Sequence, residues 1–133
     1  MLNILLADDS KAIRMQVARV VRELLPDADV LFAQDGAGVL KMWRTAMPPQ
    51  LTILDIHMPV LNGLEVLRHA AADGVTIPPV IIYTASRDDV LRQQCLEAGA
   101  AAVVTKSREN IQDAIRKTLR LETDGSADTG GEP

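Results

Sequence analysis

Five side chains in this 133-residue chain stand where short apolar runs stop: Asp8 and Asp9 after "LNILLA", Asp55 after "LTIL", Thr84 after "VIIY", and Lys106 at the close of "AAAVVTK". A carboxylate at the end of a core segment needs a partner or a chemical task, because burying an unpaired charge is costly. Three carboxylates gathered at ~5 Å would repel by roughly 3 kcal/mol per pair at an effective dielectric of about 20. A hard divalent cation offsets that repulsion, and Mg²⁺ prefers oxygen ligands while keeping several waters. Such a cation also accepts phosphoryl oxygens, and Lys106 can take another as a point charge. A carboxylate is a competent nucleophile for forming an acyl phosphate. The set therefore reads as a phosphoryl acceptor, Asp55, with Mg²⁺ and Lys106 holding the transferred charge.

These residues meet only if the elements before them lie side by side. The sequence predicts five strands, at 2–7, 29–34, 51–56, 79–85 and 100–106, alternating with five helices. Ser10 caps the first helix, whose stripe is Ile13, Val17, Val20, Val21 and Leu24 before Pro26. After Asp35-Gly36, a turn and helix start, residues 37–47 read as a helix with Val39, Met42, Trp43 and Ala46 on one face, stopped by Pro48 and Pro49. Asn62 caps a third helix carrying Leu64, Leu67, Ala70 and Ala71. Residues 87–98 form a fourth, ended by Gly99, and Ile111, Ala114, Ile115 and Leu119 mark the fifth. The strands are apolar on both faces, the pattern of a parallel sheet covered by helices on both sides. In open α/β sheets, ligands bind beyond the carboxyl ends of the strands, which is where the five side chains fall.

Composition narrows the class. With 47% hydrophobic and 24% charged residues, the chain is that of an ordinary globular domain. One phenylalanine, one tyrosine and one tryptophan leave the core aliphatic, and the single cysteine, Cys95, excludes an internal disulfide or a zinc cluster. Residues 122–133 hold four of the 18 acids and no base, leaving 14 acids against 14 Lys and Arg in the first 121 residues. A formally neutral body has no basic field for nucleic acid. No apolar run is long enough to span a membrane, and the amino terminus lacks the basic region of a signal peptide. A cytoplasmic location is expected, with a folded domain over 1–121 and an acidic disordered tail or truncated linker over 122–133.

The ordered motifs "LLADDS", "LDIHMPVLNGLEVL", "IIYTA" and "VVTK" resemble the receiver domain of two-component response regulators, in particular single-domain, chemotaxis-regulator-like receivers, over residues 2 to about 121. The resemblance implies a flavodoxin-like, doubly wound sheet of order 2-1-3-4-5, with strands one and three adjacent. It implies that Asp55 is phosphorylated by a histidine kinase or a phosphotransfer protein. Asp8 and Asp9 are implied as the acidic Mg²⁺ pair, with Asp55 and the backbone carbonyl of His57 as further ligands. Thr84 is implied as the switch hydroxyl and Lys106 as the phosphate contact. An unknown downstream protein would read helix four, strand five and helix five.

Two positions depart from the family pattern. Val103 stands where receivers usually have an aromatic residue, and Ser107 follows the lysine where proline is usual, removing the usual reason for a cis peptide there. Plainer readings exist for single residues: Asp8 and Asp9 as helix-terminal acids, Asp55 as a turn residue, His69 as a helix-surface residue, and Cys95 and Trp43 as core. His57 would edge the site. Two other functions compete. An aspartate-dependent phosphohydrolase shares the nucleophile and Mg²⁺ but resembles its relatives in having a second acid two residues on, where this chain has His57. A phosphorylation-independent domain of receiver shape has no need of the complete acid, threonine and lysine set.

Overall fold

The computed structural model describes residues 2–121, so the expected acidic tail over 122–133 lies outside the described residues. Strands β1 (Asn3–Ala7), β2 (Asp29–Ala33), β3 (Leu51–Leu54), β4 (Val80–Thr84) and β5 (Ala102–Thr105) alternate with helices α1 (Lys11–Leu24), α2 (Gly36–Trp43), α3 (Gly63–Ala72), α4 (Asp89–Glu97) and α5 (Arg108–Leu119). All strand pairs are parallel, and the sheet order is β2-β1-β3-β4-β5. This is the expected doubly wound α/β sheet.

Alternation along the strands divides the core. Leu5, Ala7, Leu54 and Ile82 face a layer with Val39, Leu40 and Trp43 of α2, Val66 and Leu67 of α3, and Cys95 of α4. Ile4, Leu6, Ile53, Ile81 and Tyr83 face Val17, Ala18 and Val21 of α1 and Ile111 and Ile115 of α5. Both faces are covered, which is why the strands read as continuous apolar runs. The buried Trp43 indole donates to Thr52 Oγ1 at 2.9 Å, so neither polar group is left unpaired.

Local chemistry sets the helix starts. Ser10, Asp35, Asn62, Asp88 and Ser107 each accept a backbone N–H from the first turn that follows. Asn62 and Glu65 form a reciprocal capping box. Helix α2 is shorter than expected. It closes at Trp43, where the Thr45 hydroxyl donates to the Met42 carbonyl at 2.9 Å, and Pro48 and Pro49 supply no N–H to continue it. Ala46 consequently lies exposed beyond the helix rather than on its core face, and Ala71 of α3 is exposed too. The buried α3 positions outside the predicted stripe are Gly63 and Val66.

Candidate functional site: an acidic cluster at the switch point of the sheet

The order of the sheet reverses between β1 and β3, the place where α/β sheets open a crevice. Register pairs Ala7 with Leu54, so Asp8 and Asp55 leave neighbouring strands at the same level. The ladder continues one step, with the Asp55 N–H donating to the Ala7 carbonyl at 2.9 Å. Both carboxylates are buried, at 5% and 7% exposure, whereas Asp9 is exposed. One oxygen from each of Asp8, Asp9 and Asp55 lies within 4.8 Å of the others.

Among the described residues, one ammonium pairs with these carboxylates. Lys106, from the end of β5, donates from Nζ to Asp8 Oδ2 at 2.9 Å and to Asp55 Oδ2 at 3.3 Å. Asp8 is fixed further: its Oδ1 accepts the Ser10 N–H at 2.9 Å, and its carbonyl accepts Arg14 Nη1 at 2.7 Å. Asp55 is held more loosely, its Oδ1 accepting the His57 N–H at 3.4 Å. Burial pushes the Asp55 carboxyl above its ordinary value; Lys106 opposes this, and the charge of Asp8 reinforces it. Burial would pull the Lys106 ammonium down, but its bond to Asp8 and the charge of Asp55 carry it above its ordinary value. The two buried carboxylates share one ammonium, so burial outweighs pairing for Asp55 while pairing outweighs burial for Lys106.

Thr84 is buried at the end of β4, and its Oγ1 accepts the Ser86 N–H at 3.1 Å. Its carbonyl accepts the Lys106 N–H at 2.9 Å, tying together the ends of β4 and β5. His57 is exposed in the loop after β3, and its amide N–H is the group that reaches Asp55. That loop turns sharply. The Leu61 N–H donates to the Pro59 carbonyl at 2.8 Å around Val60, which has φ 71°. Gly63 follows because a Cβ there would lie 2.6 Å from the Asp55 carbonyl oxygen. The chain therefore passes directly over the backbone of the candidate acceptor.

The structure gathers Asp8, Asp9, Asp55 and Lys106 into one contact cluster and places Thr84 at the same end of the sheet. The peptide bonds of the described residues are all trans, the one after Lys106 included, as expected with Ser107 there. Val103 is partly buried against the α2, α3 and α4 layer. His69 is exposed, and Cys95 and Trp43 are core, as expected. Three further contributors lie outside the set that the sequence predicts. Arg14 grips the Asp8 backbone, the Tyr83 ring centre lies 5.9 Å from Lys106 Nζ, and Arg92 spans α4 and β5. Strand parity was the available signal for Tyr83, since the residue before Thr84 must face the opposite layer. Nothing local marks the arginines.

The chain is similar to known proteins in sequence and in fold. A family model described as the response regulator receiver domain matches residues 4–117. The chain is 31% identical over 121 residues to the glycerol metabolism activator of Pseudomonas putida, covering 90% of this chain and 54% of that protein. It is 32% identical over 127 residues to Protein CcdB of Bacillus subtilis, covering 90% of this chain and 98% of that protein. Against the methylesterase/glutaminase relatives of Hahella chejuensis and Treponema denticola it spans only 36% and 28% of their length. Its fold matches the phosphorylated cyanobacterial phytochrome response regulator RcpA with TM-score 0.80 at 21% identity, over 92% of this chain and 96% of that one. A LuxR-family two-component regulator of Aurantimonas sp. SI85-9A1 matches with TM-score 0.76 at 28% identity, over 89% and 84%.

Proposed function

This chain belongs to the response regulator receiver domain family, and on that premise we propose that it is a phosphorylation-controlled binding module whose acceptor is Asp55. The observation that carries the proposal is the cluster itself: two buried carboxylates and one exposed one, answered by a single lysine at the switch point of the sheet.

In this reading the more loosely held Asp55 oxygen, Oδ1, attacks the phosphorus of a phosphohistidine on a histidine kinase or phosphotransfer protein. The bond from phosphorus to the donor nitrogen breaks, and the donor imidazole keeps its electron pair. Asp8 differs from Asp55 in having its carboxylate and its carbonyl both tied by hydrogen bonds, which suits a fixed ligand rather than a nucleophile. The three oxygen donors, compensated by one ammonium, form a hard anionic set that fits Mg²⁺. Asp8, Asp9, Asp55 and the His57 backbone carbonyl would hold it. When bound, Mg²⁺ neutralises carboxylate and phosphoryl charge. Lys106 releases part of its contact with Asp55 to hold a phosphoryl oxygen. Thr84 donates its hydroxyl hydrogen to another. His57 and Ser86, each two residues beyond a site residue, flank the path of the hydrolytic water.

Among the described residues no helix is long and apolar enough to cross a membrane, and a cytoplasmic location belongs to this reading. So does a downstream protein that distinguishes the two states of the domain. The test is chemical mapping of the acceptor. After treatment with acetyl phosphate and Mg²⁺, borohydride reduction converts an aspartyl phosphate to homoserine, which peptide sequencing by mass spectrometry locates. Homoserine at position 55 is expected; homoserine at 8 or 9, or none, contradicts the proposal.

A further inference from the structure

Receivers usually carry an aromatic residue where this chain has Val103, and a valine side chain, short and stiff at χ1, cannot swing between two positions as a ring does. At this place a different side chain makes the contact between α4 and β5. Arg92 of α4 makes three hydrogen bonds away from its own helix. Its Nη1 donates to the Ser86 carbonyl at 3.2 Å and to Thr105 Oγ1 at 3.3 Å, and its Nη2 donates to the Val103 carbonyl at 3.1 Å. The strand it grips, β5, is an edge of the sheet, where backbone carbonyls are left without strand partners.

These bonds close a circuit through the site. Thr84 Oγ1 accepts the Ser86 N–H, the Ser86 carbonyl accepts Arg92, and Arg92 holds Thr105. Thr105 precedes Lys106, whose N–H returns to the Thr84 carbonyl. The two groups assigned above to phosphoryl oxygens are thus joined through a single guanidinium that belongs to α4. A guanidinium presents its donors in a rigid planar fork, so its acceptors cannot shift independently.

We propose that Arg92 is the positioning residue that couples the phosphoryl site to α4 and the β5 edge, in place of an aromatic switch. A movement of Thr84 toward the phosphoryl group displaces Ser86, and the shared guanidinium passes that displacement to α4 and to Val103–Thr105 together. This inference rests on the assignment of Asp55, Thr84 and Lys106 under Proposed function.

The test compares wild type, Arg92→Met, Arg92→Lys and Thr105→Val by amide NMR, with and without beryllofluoride and Mg²⁺. Methionine keeps the length and apolar stem of arginine but has no donors. Amides of 55–58 report occupation of the site, and amides of 89–97 and 103–105 report transmission. In wild type both sets shift. In Arg92→Met the site amides still shift, while the transmitted changes fall at least about twofold, the lower end of what one coupling residue carries. Arg92→Lys behaves like Arg92→Met, because a single ammonium nitrogen lacks the planar fork whose separate nitrogens reach Ser86, Thr105 and Val103 at once. Thr105→Val, which leaves α4 intact, shows a smaller loss in the same direction. Full transmission in Arg92→Met, or a wild type whose site amides shift without α4, overturns the role of Arg92. A wild type whose site amides do not respond overturns the assignment of Asp55 beneath it.

Discussion

The Lys106 ammonium lies 2.9 Å from Asp8, closer than the 3.3 Å that separates it from Asp55, although Asp8 is 98 residues away in sequence. The lysine thus occupies carboxylate oxygens that a cation would also use. Replacing it by methionine removes a competing charge, and Lys106→Met is expected to bind Mg²⁺ about 3–10-fold more tightly, a change of roughly 1 kcal/mol. Its rate of labelling by acetyl phosphate should nonetheless fall, because the phosphoryl contact is gone. Calorimetric titration and intact mass against time measure the two effects. Loss of both affinity and labelling would mean that Lys106 supports the acids rather than competing for them. As a reference, Asp9→Ala should weaken Mg²⁺ binding far more than Glu65→Ala, whose side chain is committed to the α3 capping box.

Burial holds the Asp55 carboxyl above its ordinary value of 3.8, which fixes the sign of its contribution to stability. The folded state binds this proton more tightly than the unfolded state, so the ionised Asp55 opposes folding. The cost is absent below pH 3.8, grows as pH rises toward the folded value and is fully present above it. Asp55→Asn should therefore raise Tm at neutral pH, by roughly 2–6 °C, and the difference should shrink toward acid pH. Mg²⁺ should close the gap from the other side by stabilising wild type more than the variant. Thermal unfolding at pH 7 and at pH 4 to 3, with and without Mg²⁺, measures this. A variant less stable than wild type at pH 7 would contradict it.

Val60 is a β-branched residue at φ 71°, exposed, in the turn that follows the candidate acceptor. Left-handed backbone disfavours such side chains. Asparagine tolerates it, so Val60→Asn should stabilise the fold by about 0.5–1 kcal/mol. Denaturant unfolding with an unchanged m-value tests this, and a destabilised Val60→Asn would show that the valine side chain has a compensating contact.

Thr84 and Val103 should separate the two halves of the switch. Thr84→Ala is expected to keep phosphorylation and to blunt the response of a partner to beryllofluoride. Val103→Ala, which trims a partly buried packing residue, should leave both nearly intact. Partner affinity with and without beryllofluoride is the measurement, and the opposite pattern would reverse the roles of the two residues.

Much of this architecture was legible in the chain because strand ends and helix caps are local. The caps at Ser10 and Asn62 and the apolar runs before Asp8, Asp55, Thr84 and Lys106 follow from short patterns. The adjacency of β1 and β3 came from family resemblance, since apolar runs alone do not order a sheet. The prolines predict the end of α2 too late, because the hydroxyl of Thr45 closes the helix before them. No local pattern marks Arg14 or Arg92: Arg14 reaches back six residues across the strand-to-helix turn to the Asp8 carbonyl, and Arg92 reaches β5, which only the tertiary fold brings within range. Val103 could be flagged as a departure from the family, but nothing in its neighbourhood says that an arginine of α4 would hold its carbonyl.

The most direct test of Asp55 as the phosphoryl acceptor is intact mass after incubation with acetyl phosphate and Mg²⁺. Wild type should gain the mass of one phosphoryl group, lose it again on removal of the donor, and gain none when Mg²⁺ is chelated. Asp55→Asn, its fold verified by the rise in Tm predicted above, should gain none under any condition. Equal labelling of wild type and Asp55→Asn would contradict the assignment of Asp55.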